Sequence, residues 1–133
     1  MRKAFVIVSH ALFIVFGLQF VFAAVGAFTE TGDDNAYVLH SITGMAVLPA
    51  LTLATTLLAV LSKAPGRLVA LTVLPLGLII LQVLLAGLAD GFTGVASSVV
   101  GGLHAVNGIV AVHVAVAVAR GAARLTRPVL EPA

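Results

Sequence analysis

Two histidines stand in nearly the same hexapeptide: Leu39-His40-Ser41-Ile42-Thr43-Gly44 recurs as Leu103-His104-Ala105-Val106-Asn107-Gly108. Each copy lies in an apolar stretch long enough to cross a bilayer, where an ionisable side chain is costly and marks a functional site by default. Neutral imidazole is an axial ligand for iron in haem, and two such ligands fill the coordination sphere, favouring electron transfer over oxygen binding. A flat macrocycle needs low helix surfaces beside it. Gly44 and Gly108 supply them one turn beyond each histidine, on nearly the same face, and Gly101 and Ala111 extend the strip. Thr43 and Asn107 stand in equivalent places where they can hydrogen-bond an imidazole or a propionate and so fix ligand orientation. The expectation is one haem b, its iron held by His40 and His104, with Gly44, Gly108, Thr43 and Asn107 around it. The rival reading of the same residues is helix packing, since small residues let membrane helices approach and histidine can hydrogen-bond between them. Zinc fits less well: it asks for three or four protein ligands, and no carboxylate cluster lies at that depth.

His10 and His113 form a weaker second pair, each about six residues from the end of its apolar run. A second haem there is conceivable, but His104 and His113 are nine residues apart and so fall on opposite faces of one helix. Gln19 and Gln82 are another matched polar pair, expected to hydrogen-bond across helices or to sit near a cofactor edge or a quinone.

The elements that carry these residues follow from composition. The 133-residue chain is 61% hydrophobic and 9% charged, whereas soluble domains are near half apolar and a quarter charged; it reads as an integral membrane protein. The absence of cysteine excludes disulfides, thiolate ligation of haem, cysteine-held iron–sulfur clusters and dithiol chemistry. With no tryptophan and one tyrosine, the usual aromatic belt is thin. Four apolar runs, 4–28, 37–61, 68–89 and 96–119, are separated by polar or Gly/Pro-bearing breaks. Backbone groups cannot go unpaired in lipid, so the runs are expected as helices, and three short connections imply an up-down-up-down bundle. Pro49 and Pro75 fall inside spans two and three, where membrane helices tolerate them with a kink.

Charge sets the expected orientation. With four spans, Arg2, Lys3, Lys63, Arg67, Arg120, Arg124 and Arg127 fall on one side, and Glu30, Asp33, Asp34 and Asp90 on the other; only Glu131 joins the basic side. The positive-inside rule then places both termini in the cytoplasm of a multi-pass protein of the inner (plasma) membrane. This sidedness also accounts for the basic residues without nucleic acid as a partner. Span one could pass for a signal peptide, with Arg2 and Lys3 as its basic region and Ala23–Ala27 as its cleavage site, but its apolar run is long for that.

The repeat extends beyond the histidines. Leu18-Gln19 with Ala23-Ala24 matches Leu81-Gln82 with Ala86-Gly87, so the chain reads as a single domain, 1–133, built from two copies of a two-helix hairpin, about 1–66 and 67–130. Two spans return the chain to its starting side, so the copies share one orientation and an axis along the membrane normal relates them. That axis turns His40 and His104 toward each other. Their depths differ by about 7–8 Å on these boundaries, at 1.5 Å rise per residue.

A four-helix membrane bundle in which helices two and four each give one histidine to a haem resembles one half of haem A synthase, and the small bis-histidine b-type cytochromes generally. The resemblance covers most of the chain in architecture and His40 and His104 in residues. The synthase motif has a glutamate three residues before a ligand histidine where this chain has Tyr37 and Gly101, so the resemblance implies haem binding rather than synthase chemistry. The chain is also similar to uncharacterised small four-span membrane proteins with a Leu-His-x-x-Asn-Gly helix, here Leu103 to Gly108, which implies no function. The expected task is electron transfer or haem handling, with membrane lipid around the bundle and a redox partner, a quinone or a second copy of the chain as open partners. The alternative is a cofactor-free accessory subunit whose histidines are structural. A transporter is weakened because no acidic residue lies inside a span. No nucleophile–base pair or metal triad points to an enzyme.

Overall fold

The computed structural model describes residues 1–29 and 35–126; Glu30, Asp33, Asp34, Arg127 and Glu131 lie outside the described residues. Four helices long and apolar enough to span a membrane account for nearly all of them: α1 (Arg2–Ala27), α2 (Val38–Leu61), α3 (Gly66–Gly91) and α4 (Gly94–Arg124). At 1.5 Å per residue even the shortest exceeds the roughly 30 Å hydrocarbon core. Among the described residues there is no strand. The expected runs are found, with ends within one or two residues except at the end of α4. α4 continues past Ala119 through Arg120 to Arg124, because arginines can lay their stems along apolar surface and carry the charge to the interface.

Each helix packs against two others: α1 on α2 and α4, and α3 on α2 and α4. The histidine-bearing helices α2 and α4 therefore stand diagonally across the bundle. Arg2 Nη1 donates to Leu125 O at 3.4 Å, which brings the two described ends of the chain to one end of the bundle. Phe5, Ala59, Val118 and Ala122 form a buried cluster there. A second cluster at mid-bundle, including Leu12, Phe16, Leu48, Ile79 and Ala115, forms the floor beneath the histidines.

The distribution of polarity is that of a protein in lipid. Large apolar side chains such as Ile14, Leu57, Ile80 and Ile109 face outward, while Ser9, Gln19, Thr52, Thr55, Thr72 and Asn107 are buried. Buried hydroxyls within the spans find acceptors on their own helices: Ser9 donates to Phe5 O at 2.6 Å, Thr52 to Leu48 O at 2.8 Å and Thr55 to Leu51 O at 2.7 Å, whereas Ser62 Oγ, just past the end of α2, has no partner among the described residues. Thr56 also reaches across to Thr72 O at 3.1 Å. With no water to serve them in lipid, such groups must be satisfied within the protein.

Two local features shape α2. Its turn at Thr43–Val47 is a π-helix, one turn before Pro49. A proline ring clashes with the carbonyl four residues earlier, here Met45, and the wider turn gives that carbonyl room. Such single π turns also mark places where a side chain is re-aimed. Pro75 sits buried inside α3, which continues as one helix. At the entry to α2 the Tyr37 ring lies flat on Gly26 of α1, where a Cβ would come within 2.5–2.7 Å of its ring carbons.

Candidate haem site

α2 and α4 bring the two histidines together across the bundle. The ring centroids of His40 and His104 are 6.2 Å apart, with the planes inclined at 49°. His40 is the third residue of α2 and His104 the eleventh of α4, so counting from helix ends separates them further than the sequence estimate did. That count misleads because α4 begins further out than α2. Equal depth follows from packing, not from equal distance to a helix end.

At each imidazole Nδ1 lies beside a main-chain carbonyl of the neighbouring helix. His104 Nδ1 lies 3.0 Å from Gln82 O and His40 Nδ1 3.1 Å from Gln19 O. A carbonyl only accepts, so at His104 Nδ1 is the donor, and in the neutral ring Nε2 is then the nitrogen with a free lone pair. The glutamine side chains complete the link in the other direction: Gln82 Nε2 donates to His104 O at 2.9 Å. Gln19 does the same when its amide is set by its neighbours. Gly44 N–H can only donate and His40 O can only accept, so Oε1 faces Gly44 N at 2.7 Å and Nε2 faces His40 O at 3.2 Å. In that setting Nε2 is also 2.7 Å from His40 Nδ1. His40 Nδ1 thus meets a carbonyl and an amide donor together, whereas His104 Nδ1 meets the Gln82 carbonyl.

The expected neighbours divide. Asn107 is buried and donates from Nδ2 to Leu78 O at 2.9 Å and to Gln82 Oε1, so it holds the glutamine that holds the histidine. Thr43 does not take the matching role; the Gly44 N–H, turned out by the π turn, occupies that place at Gln19. Gly44 and Gly108 are used for close approach, but by the glutamines. A Cβ on Gly44 would sit 3.3 Å from the terminal amide of Gln19, and one on Gly108 3.3 Å from Gln82 Nε2 and 3.4 Å from Phe20 Cζ.

A cavity of about 240 Å³ opens between the rings, drawing on all four helices. Its walls are apolar apart from the histidines, the glutamines and Ser41, with Phe16, Phe20, Ile79 and Val83 beside them and small residues, Ala23, Ala86 and Ala105, leaving gaps. Ala111 lines it as expected. The carbonyls of Gln19 and Gln82 are the functional groups that residue types could not reveal, since every residue carries one; the matched glutamines were the only trace of them.

The second histidine pair is not brought together. His10 Nδ1 turns back to Val6 O at 2.7 Å and His113 Nδ1 to Ile109 O at 2.8 Å, each on its own helix. His10 meets Phe13 edge-on at a centroid distance of 5.8 Å, and His113 is exposed. Among the described residues no group of three or more His, Cys, Asp and Glu side chains could hold a metal ion.

A family model matches residues 19–90, just over half of the chain. The chain belongs to DUF6220, a family of unknown function. The matched stretch of this DUF6220 protein holds Gln19, His40, Gly44 and Gln82, and ends before His104. No curated protein and no solved structure matches the chain.

Proposed function

We propose that this DUF6220 protein is a membrane haem b protein, with His40 and His104 as the axial ligands and electron transfer or haem handling as its task. The observation that carries the reading is the 6.2 Å between the imidazole centroids. Metal–imidazole bonds are about 2.0–2.1 Å, and a ring centroid lies about 1.1 Å behind its nitrogen, so one metal between two imidazoles sets the centroids about 6.3 Å apart. The carbonyl on His104 Nδ1 supports it, because ligating histidines characteristically donate their other N–H in this way. With no cysteine in the chain, haem would be held without thioether links, as b-type haem is. Bound between two imidazoles, haem supplies one-electron transfer. The chain's own part is to orient both rings, through Gln19, Gln82 and Asn107, and to keep water from the site with Phe16, Phe20, Ile79 and Val83. The cavity is smaller than a whole haem, and a bound one would need the space beside the small residues Ala23, Ala86 and Ala105 as well.

The same reading places the two hairpins, about 1–66 and 67–130, as parallel copies about an axis through the site. The matched Gln–His pairs support this: each hairpin repeats a carbonyl-to-Nδ1 contact and a glutamine-to-main-chain bond. It also places Arg2, Lys3, Lys63, Arg67, Arg120 and Arg124 in the cytoplasm, with both termini, at the plasma membrane.

The second reading is a cofactor-free subunit. It is favoured by the same hydrogen bonds, which tie α1 to α2 and α3 to α4 whether or not iron lies between the rings. Protein purified from haem-replete cells and assayed as the pyridine haemochrome separates the two. One haem per chain is expected. Two would restore His10 and His113 as ligands, and a colourless, folded protein that takes up no added haemin would establish the second reading.

A further inference from the structure

Between α1 and α4, at the end of the bundle where the chain's described ends meet, a groove is lined by His10 and Phe13 on one side and Val116, Ala119, Arg120 and Arg124 on the other. Its chemistry divides along its length. Phe13, Val116 and Ala119 make an apolar floor toward the bundle middle. Arg120 and Arg124, one helical turn apart on the same face, stand at its outer end, both exposed. Neither guanidinium has an ion-pair or hydrogen-bond partner among the described residues. All other basic side chains of the described residues lie at this end too, whereas their one acidic side chain, Asp90, is at the opposite end of α3.

We infer that this groove binds one anionic phospholipid of the surrounding leaflet. Its phosphate would lie between Arg120 and Arg124 and the upper part of one acyl chain along Phe13 and Val116. Three features lead to this occupant. The groove opens sideways from helices that are apolar enough to span a membrane, so lipid is what it faces. The arginines stand where α4 leaves its apolar run, at headgroup level. A guanidinium pair offers a forked set of donors suited to phosphate oxygens. Basic pockets between membrane helices are used for anionic headgroups in this way. The site is independent of the haem reading, since no residue is shared with the cavity at His40 and His104.

The test is native mass spectrometry of the intact protein released from nanodiscs containing equal amounts of phosphatidylglycerol and phosphatidylcholine. Wild type is expected to retain one phosphatidylglycerol in preference to phosphatidylcholine. Each arginine near the surface is worth about fivefold in binding, so R120Q/R124Q should lose most of the preference, roughly 25-fold, while staying monodisperse. The control is K63Q/R67Q, which removes the same charge from the same end away from the groove. If it lowers retention as much as the groove variant, the attraction is general surface charge and the site does not exist. Competition by inorganic phosphate at millimolar concentration would mean that the arginines take a free anion, and it too would overturn the lipid assignment; no competition is expected.

Discussion

The histidine pair is held by main-chain atoms, and that fixes what single substitutions should do. In Gln82→Leu the residue-82 carbonyl remains, so His104 Nδ1 keeps its acceptor, while the side-chain bonds to His104 O and Asn107 are lost. Interhelical hydrogen bonds in membranes are worth about 0.6–2 kcal/mol. The variant should therefore bind haem and unfold with a stability loss of about 1–2 kcal/mol, read by thermal denaturation in detergent. Loss of haem from a variant that stays folded would show that the side chain, not the carbonyl, holds the ring. At this scale the sequence exposed the histidine pair but not the groups that hold it. His40 and His104 were legible because ionisable groups in lipid are rare and these two share a context. Thr43 does not repeat the bond of Asn107 to its glutamine, because equivalence in sequence does not carry over a π turn that only one hairpin contains.

The π turn of α2 is the element that aims His40. It places one residue more than an α-helix would between His40 and the packed stretch from Leu48 onward. Inserting one alanine after Ala46, which is exposed, adds a residue beyond the one the π turn already accommodates and should rotate everything before it by about 100° relative to the rest of the helix. His40 then leaves the cavity. The expected result is unchanged helix content by circular dichroism and loss of haem; retention of full haem occupancy would mean that α2 does not aim His40 through this turn. The helices themselves were legible, because apolar runs of this length admit one structure in lipid. The π turn was not. Pro49 announced a disturbance, but whether a proline is met by a kink, a break or a wider turn depends on what packs against the helix.

For the whole molecule, four spans and the separation of charge predict that Lys63 and Phe92 lie on opposite sides of the membrane. The chain has no cysteine, so a single cysteine at either position reports cleanly. Lys63→Cys should be shielded from an impermeant thiol reagent in intact cells and Phe92→Cys labelled; labelling of both, or the reverse pattern, would contradict the orientation. The expected sidedness rests on the spacing of the basic residues alone. What the chain does rests on the space between two imidazoles 6.2 Å apart, and one spectrum addresses that most directly. The dithionite-reduced minus oxidised absorption of the purified protein should show a sharpened Soret band with resolved α and β bands, lost in His40→Ala and in His104→Ala. Identical spectra from wild type and both variants, or no haem absorption in any of them after growth with excess haem precursor, would contradict haem ligation by this pair.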